Sequence, residues 1–537
     1  MKKFFLILGV LPFLAIGCQK KAPPVYHDRI NINIVSDPAT LDPRKGGDLV
    51  SSLFHFLFFD GLVRLDDEGK PSPSLAKHIE ISEDQTVYTF TLHECYWSDG
   101  TPITAWDFEK SWKDILHPDF PAMSAHLLYP IKNAEGAKKG ITSLSEVGIR
   151  SLDARTLEVT LAHPVPYFLE IVSFCVFFPV NAEVDHSHPD WDQASSKHFV
   201  CSGPFLLKEW KRNNEIILKK NPLYFKADGV ALEEIHIHMV NSESTSLQMY
   251  EKGEIDILGQ PLLPLPTDAI PELKKKGELF IHPVPATTFC TFNTESFPFN
   301  NKNIRKAFAY TINRRQIVQN ITQLEEIPAL GAIAPVLKKS EAIPFYRDAD
   351  VETAKAHFKQ GLEELGITAK EFPRIKHIYS TAESHRKIAQ ALQQQWFETL
   401  GIMVELESID KKILMQNLKT GSYQMALTFW MAQYNDPMNI LERFKYKDNV
   451  KNYPNWENEA YKELINRSFE TTSDEQRAQI LHEAETIFME EMPLAPIFHW
   501  NSAYIKKPYI KSFSLVPIGD VFLDRVYIDH ETKGELR

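Results

Sequence analysis

Histidine and acidic residues come nearest to a catalytic spacing in the stretch His482-Glu483-Ala484-Glu485-Thr486. A helical zinc-protease motif needs a second histidine four residues after the first, so that two imidazoles face one metal ion. Thr486 stands at that position, so this zinc pair is missing. The sequence also lacks the glycine-rich phosphate loop and the serine nucleophile elbow. We therefore predict no catalytic residues, no metal site and no cofactor.

Alternating and helical patterns of apolar residues recur along the whole chain. Strands are predicted at 29–35, 88–92, 215–219 and 233–240. Helices are predicted at 303–321, 385–400 and 474–489, the last with Ser473 and Gln476 at capping-box spacing. Because both element types recur, the expected fold class is α/β. The 537 residues are too many for a single core, which predicts two or three domains.

The first 18 residues have the layout of a bacterial export signal that ends in a lipidated cysteine. Lys2 and Lys3 precede an uncharged apolar run at 4–16, and Cys18 follows it. This run is shorter than the roughly 20 residues that a membrane-spanning helix needs. We predict that residues 1–17 are removed before Cys18 and that a lipid on Cys18 anchors a periplasmic or cell-surface protein to a membrane. Ala15 replaces the leucine usual in such signals, so an ordinary cleaved signal is the alternative.

Acidic residues outnumber basic ones, and cysteines are sparse. The net charge of −12 falls by two more units when the lysines of the leader are removed, which argues against a nucleic acid as partner. Behind Cys18 the chain carries four further cysteines, none in a C-x-x-C pair: Cys95, Cys175, Cys201 and Cys290. A disulfide is possible in an oxidising compartment, but the spacing does not choose among the pairings.

Several sequence blocks occur in an order that is typical of one family. The early blocks are Asp37-Pro38-Ala39-Thr40-Leu41-Asp42-Pro43, Asp60-Gly61-Leu62-Val63 and Trp97-Ser98-Asp99-Gly100-Thr101-Pro102. The later blocks are Ser202-Gly203-Pro204-Phe205, Asn303-Ile304-Arg305-Lys306-Ala307 and Tyr434-Asn435-Asp436-Pro437. Together they resemble the peptide-binding proteins of ABC importers, the extracellular solute-binding family 5. The resemblance covers almost the whole mature chain.

This resemblance implies a fold of the periplasmic-binding-protein type, with two lobes, two crossovers and a smaller extra domain. The implied segments are a signal peptide at 1–17, a tether at 18–28, lobe I at 29–60, 183–285 and 499–537, extra domain II at 61–182, and lobe III at 286–498. The lobes of such a monomer close on their ligand by hinge motion.

The function implied by the resemblance is the capture of short peptides outside the cytoplasm. The protein would deliver them to the transmembrane subunits of an ABC permease, with no covalent chemistry and hence not as an enzyme. Closed lobes can bond the whole backbone of a peptide as an added strand, and this pairing is blind to side chains. Hydrated pockets then tolerate varied side chains.

The resemblance also places candidate ligand contacts. Two segments contact the peptide backbone in oligopeptide-binding members, and here they correspond to Gly47, Asp48 and Leu49, and to Phe429, Trp430 and Met431. Gln433 stands where those members have an aspartate for the amino group of the peptide. The remaining candidates for the ligand termini are His385, Lys411 and Asp436.

Several departures from the family pattern leave the ligand open. At Gln433 a carboxylate–ammonium pair becomes a neutral hydrogen bond, which is weaker by about 1–2 kcal/mol. Leu418 and Leu427 stand where arginines are common. Other charges could take over and bind ordinary short peptides. Alternatively the ligand lacks a free amine, as a murein-derived peptide with a lactyl or sugar group does.

Alternatives from other classes are a nickel- or haem-binding relative and a secreted hydrolase. Neither has support from a histidine constellation or a catalytic motif in the sequence. One further departure concerns the disulfide of some family members, because no cysteine lies near Met431 to pair with Cys290. The resemblance therefore predicts a buried thiol at Cys290.

Overall fold

A computed structural model of the chain describes residues 28–193, 197–338, 343–471 and 473–535. Its largest feature is one mixed sheet, which confirms the α/β class. In the order of hydrogen-bonded neighbours the strands are β15 (Val404–Ile409), β14 (Ile375–Ser380), β16 (Met425–Met431), β12 (Phe280–Phe292), β17 (Leu494–Lys506), β11 (Ile257–Gly259), β1 (Arg29–Ile34), β10 (Glu234–Met239), β9 (Glu215–Lys220) and β8 (Phe205–Lys211), while β13 (Ile327–Pro328) also pairs with β17.

Two long strands, β12 and β17, connect the two lobes. They pair antiparallel in two stretches, with a register shift between Pro283 and Thr287 of β12. The first stretch continues into β11 and the strands of lobe I, and the second continues into β16 and the strands of lobe III. The crossovers are thus strands of one continuous sheet. The predicted lobe boundaries at 285/286 and 498/499 fall inside these strands and stay a prediction.

The extra domain has an antiparallel sheet of its own in the order β4 (Ala76–Ile81), β5 (Val87–Leu92), β7 (Thr156–Thr160) and β6 (Ile149–Asp153). Helix α2 (Ala105–Ile115) packs on this sheet. Asp107 closes its first turn by accepting a hydrogen bond from the Thr104 amide at 2.8 Å. Two small pairs lie outside both sheets, namely β2 (Val63–Leu65) with β3 (Pro71–Pro73) and β18 (Ile510–Lys511) with β19 (Tyr527–Ile528).

The remaining helices cover the faces of the two sheets and fill the connections between strands. They are α1 (Leu49–Phe58), α3 (Ala134–Lys138), α4 (Phe168–Val172), α5 (Ala182–Ser187), α6 (Glu243–Glu251), α7 (Ile270–Lys276), α8 (Lys302–Thr311), α9 (Arg314–Ile317), α10 (Val351–Leu365), α11 (Glu383–Leu400), α12 (Lys411–Thr420), α13 (Met438–Leu441), α14 (Glu459–Glu470), α15 (Asp474–Glu491) and α16 (His530–Glu535).

Most predicted elements are confirmed, but the predicted helix at 303–321 is wrong as a single element. Helix α8 ends at Thr311, and Ile312 has an extended backbone with φ −66° and ψ 120°. Asn313 then starts a new helix, because its side chain accepts a hydrogen bond from the Gln316 amide at 2.9 Å. An asparagine that caps the next turn competes with continuation of the previous helix.

The described part of the chain agrees with the prediction of a buried Cys290 thiol. Cys95, Cys175, Cys201 and Cys290 are all buried free cysteines. Within the described ranges no group of three or more candidate side chains could hold a metal ion. None of the helices described there combines the length and the apolar character that crossing a bilayer would require.

At Gly203 the chain that leaves the extra domain packs closely against the backbone at the end of α1. A Cβ atom at this position would lie 2.5 Å from the backbone of Phe58 and Phe59. We expect Gly203→Ala to lower the free energy of unfolding by about 2–3 kcal/mol, because backbone cannot move aside as a side chain can. Urea unfolding measures this loss. Gly229→Ala, where a Cβ meets no atom within 4 Å, should change stability by less than about 0.5 kcal/mol, and an equal loss in both variants would contradict the explanation.

Candidate functional site

The loop that precedes α1 is held by a buried ion-pair network around Arg44. The guanidinium lies 2.9 Å from Asp42, 2.9 Å from Asp114 and 2.5 Å from Asp185. Burial of Asp42 opposes its ionisation, yet the Arg44 charge beside it holds the pKa of the carboxyl below its usual value. Because Asp114 lies on α2 and Asp185 on α5, this arginine ties the loop of lobe I to neighbouring helices. The path of the next residues is therefore fixed.

The predicted contact segment Gly47–Leu49 lies exposed directly after this network. Asp48 is the N-cap of α1, and its side chain accepts a hydrogen bond from the Ser51 amide at 3.0 Å. The backbone of Gly47 makes no hydrogen bond to any described residue. Leu49 is 52% exposed although it is apolar. The segment thus offers the free Gly47 backbone and the uncovered apolar side chain of Leu49 to a ligand.

The second predicted segment lies at the end of β16, where one edge of the strand is free. β12 pairs with β16 from Met425 to Met431, whereas β14 pairs with it only at Met425 and Ala426. No other strand of the described chain covers residues 427–431 on that side. Backbone N–H and C=O groups on such an edge can pair with an added extended chain. The end of β16 and the segment Gly47–Leu49 are therefore both available to contact one extended ligand.

Aromatic side chains accompany this free edge. Phe429 is 40% exposed, and its ring centroid lies 5.1 Å from that of Trp500. The Trp500 indole donates a hydrogen bond to the Thr288 hydroxyl at 2.7 Å, which fixes the ring on the neighbouring strands. Trp430, on the opposite face of β16, donates to the Asn439 side chain at 2.8 Å. A half-exposed aromatic pair beside free backbone is suited to an apolar side chain of a ligand.

A short segment of the extra domain lies between the two predicted contact segments. A Cβ atom on Gly47 would approach the Met123 side chain to 2.9 Å. Three residues later, the His126 Nε2 atom lies 3.1 Å from the Gln433 Oε1 atom. Residues 123–126 therefore bring the loop before α1 and the end of β16 to one place. This arrangement agrees with a ligand site formed by both lobes and the extra domain.

The surroundings of Gln433 are neutral and cationic. The same His126 Nε2 atom lies 3.0 Å from the Lys451 Nζ atom. Burial, and then the Lys451 charge, lower the pKa of His126 to about 4, so the ring is neutral at pH 7. No ion pair in the described chain places a carboxylate beside Lys451. Gln433 thus replaces the aspartate of family members, and no carboxylate of the described residues pairs with Lys451 in its place.

Among the other predicted terminus residues, Asp436 and His385 have partners within the fold. Asp436 is buried in a two-bond ion pair with Arg477, at 2.7 and 2.8 Å, so both of its carboxylate oxygens already have partners. His385 lies 2.7 Å from the Ser380 hydroxyl, and burial, then Lys411, lower its pKa. No described hydrogen bond joins these residues to residues 429–433. Their ligand contacts stay predictions.

The middle of the chain decides its family. The family model for bacterial extracellular solute-binding proteins, family 5 Middle, matches residues 70–452. This chain belongs to that family. Oligopeptide-binding protein OppA of Bacillus subtilis is 38% identical over 530 residues, covering 98% of this chain and 97% of that protein.

Two solved structures of family 5 proteins have the same fold. The oligopeptide-binding protein OppAIV of Borrelia burgdorferi has a TM-score of 0.81 and 30% identity, and the match covers 93% of this chain and 100% of that one. The murein tripeptide binding protein MppA of Escherichia coli has a TM-score of 0.81 and 27% identity, with coverage of 94% and 98%. The predicted family and its two-lobed fold are therefore confirmed.

Several residues of this candidate site were not found by reading the sequence. His126, Lys451 and Arg443 surround Gln433 and Trp430, yet none lies in a recognisable motif. The His126–Gln433 contact joins residues 307 positions apart, and the Lys451–His126 contact joins residues 325 apart. Only the absence of an aspartate at position 433 pointed to a changed environment there.

Proposed function

We propose that this protein captures short peptides outside the cytoplasm and delivers them to an ABC-type peptide permease. The observation that carries the proposal is the free edge of β16 at residues 427–431, which residues 123–126 of the extra domain link to the exposed segment Gly47–Leu49. The similar Bacillus and Borrelia proteins support it, since both are oligopeptide-binding proteins. Binding and release complete this function, and it requires no catalytic group.

A peptide added to the free edge would lose contact with water at its backbone and regain hydrogen bonds from the strand. Each such bond contributes only about 0.5–1.5 kcal/mol net, so a tight complex needs several of them. Closure of the lobes supplies the second wall, because Gly47 and its neighbours then face the opposite side of the ligand. The same pairing is available to peptides of many sequences.

Calorimetry with the ligand-free protein tests this backbone pairing. We expect tri-alanine to bind, and a tri-alanine with an N-methylated central amide to bind about tenfold more weakly, because one N–H donor is lost. The matched control carries the same extra carbon in the central side chain, as 2-aminobutyrate, and should bind like tri-alanine. Equal binding of the N-methylated peptide would contradict strand pairing, and no binding of any peptide would contradict the function.

A murein-derived peptide is a second candidate ligand, and the surroundings of Gln433 favour it. A free α-ammonium would meet the neutral Gln433 amide, the neutral His126 ring and the Lys451 charge. A peptide whose amine is replaced by a lactyl or sugar group brings no positive charge to this place. Tight binding of lactyl murein tripeptide with weak binding of tri-alanine supports this candidate. Tight binding of tri-alanine with none of the murein compound excludes it.

We propose that a lipid on Cys18 keeps the binding protein close to its permease. Cys18 lies outside the described residues, so the proposal rests on the leader sequence. A Cys18→Ser variant should be released from the membrane fraction into the soluble fraction, as followed by immunoblot. A Cys290→Ser variant is the matched control and should remain with membranes. Unchanged membrane retention of Cys18→Ser would contradict the anchor.

A further inference from the structure

Two cations near the end of β16, Lys451 and Arg443, have no acidic partner among the described residues. Lys451 is partly buried and Arg443 is 7% exposed. Neither side chain forms an ion pair with any described residue, whereas buried arginines elsewhere in the chain, such as Arg44 and Arg314, each have an aspartate. A buried charge without a counter-ion is costly. Something other than a carboxylate of this chain must therefore stabilise these two.

The Arg443 charge is stabilised by aromatic rings. Its guanidinium carbon lies 3.7 Å from the Trp430 ring centroid, 5.0 Å from that of Phe444 and 5.6 Å from that of Tyr453. It also donates a hydrogen bond to the Lys451 backbone carbonyl at 2.8 Å. Stacking on several rings is an established way to hold an arginine away from water. Arg443 thus supports the segment that carries Lys451, although its Nε atom has no hydrogen-bond partner among the described residues.

The Lys451 charge has no comparable support. Its ammonium lies 5.4 Å from the Trp430 ring centroid and 3.0 Å from His126 Nε2. That nitrogen also lies 3.1 Å from Gln433 Oε1. A neutral imidazole nitrogen either donates or accepts, so it can bond the glutamine oxygen or the ammonium, but not both. One of the three groups is therefore left without a proper partner.

We infer that Lys451, with His126 and Gln433, forms a subsite for a carboxylate of the ligand. A carboxylate on Lys451 would satisfy the ammonium and leave His126 Nε2–H free to donate to Gln433. The inference rests on the proposed peptide-binding function and names a ligand class, namely peptides with a negative charge at the end that meets Gln433.

The charges around Lys451 agree with such a site. Burial, then the charges of Arg443 and Lys419, lower the pKa of Lys451 to about 8. No acidic side chain is among the groups that act on it, so an incoming carboxylate would be the first negative charge there. Where family members have an aspartate that binds the ammonium of a peptide, this chain has the Lys451 ammonium, which can bind a carboxylate of the ligand. The preference for ligand charge would then be reversed at this end.

Three probe peptides test the subsite by calorimetry: tri-alanine, N-acetyl-tri-alanine and N-succinyl-tri-alanine. The acetyl and succinyl peptides both lack the amine, and only the succinyl group adds a carboxylate. We expect the succinyl peptide to bind at least about tenfold more tightly than the acetyl peptide, as a charge-assisted bond exceeds a neutral one. Equal affinities in the wild-type protein would overturn the subsite. No binding of any of the three would instead overturn the proposed function.

Substitutions then assign the preference to Lys451. Lys451→Met should remove the tenfold preference of the protein for the succinyl peptide over the acetyl peptide. Lys419→Met, which removes a nearby exposed charge without a contact to His126, should keep the preference. Equal loss in both variants would overturn a specific role for Lys451. If Lys451→Met does not fold, Lys451→Arg must keep the preference, and its loss there would also overturn the subsite.

Discussion

Acidification from pH 7 to pH 5 is expected to lower the free energy of unfolding by roughly 5 kcal/mol, because buried histidines stay neutral in the folded protein. His55 and His377 are 0% exposed and His499 is 6% exposed. Burial lowers the pKa of His55 to about 4 and of His377 to about 3, and burial, then Lys338, lowers that of His499 to about 3.

The sign of this dependence follows from where the protons bind. In the unfolded chain each of these histidines takes up a proton near pH 6.5, whereas the folded protein does so only near pH 3–4. The unfolded state therefore binds more protons below pH 6.5. Each extra proton lowers the free energy of unfolding by about 1.4 kcal/mol per pH unit of acidification. Asp520 acts in the opposite direction, because burial raises its pKa to about 7. His126, whose pKa burial also lowers to about 4, adds a fourth histidine, and four histidines against one aspartate give the net loss.

His377 allows the explanation to be tested with one substitution. Neither of its ring nitrogens has a hydrogen-bond partner in the described chain, and the ring packs edge-on against Trp396 with centroids 5.5 Å apart. His377→Leu should reduce the loss between pH 7 and pH 5 by about 2 kcal/mol. His186→Gln, at an exposed position, should reproduce the wild-type dependence. Urea unfolding at pH 7, 6 and 5 measures both, and an unchanged slope in His377→Leu would contradict the assignment.

The sequence alone predicts those parts of the structure in which neighbours along the chain interact. Strands such as Arg29–Ile34 follow from alternation, and the start of α15 follows from Ser473, which caps the Gln476 amide. The break at Ile312 was missed because apolar periodicity continues through it, while the cap at Asn313 decides the local geometry.

The candidate site was predictable only in part, for a physical reason. The two backbone segments belong to family blocks, so resemblance finds them. The polar surroundings of Gln433 come from the neutral His126 ring and the Lys451 charge, which meet only after the extra domain and lobe III pack together. Asp436 shows the opposite case, because it lies in a family block yet its carboxylate is used within the fold. Long-range pairing of this kind leaves no local pattern in a sequence.

Arg477→Met is expected to lower the free energy of unfolding by about 3–5 kcal/mol, because it leaves the Asp436 carboxylate buried without an opposite charge. Both side chains of the pair are 7% exposed and share two hydrogen bonds. Arg477 also lies over the Tyr167 ring, which stacks on Tyr434 with centroids 4.9 Å apart. The arginine therefore supports the junction between the extra domain and lobe III, and its loss should weaken both the fold and ligand closure.

A double variant separates the lost charge pair from a general loss of packing. Replacing Asp436 by Asn in the Arg477→Met protein removes the unpaired charge. The asparagine keeps a side-chain oxygen that can accept the hydrogen bond that the Met438 amide donates to Asp436 at 2.9 Å. We expect this change to restore at least about 2 kcal/mol of stability. Arg467→Met, at an exposed position on α14, should cost less than about 0.5 kcal/mol. A double variant no more stable than Arg477→Met would show that stacking on Tyr167, and not the buried carboxylate, accounts for the loss.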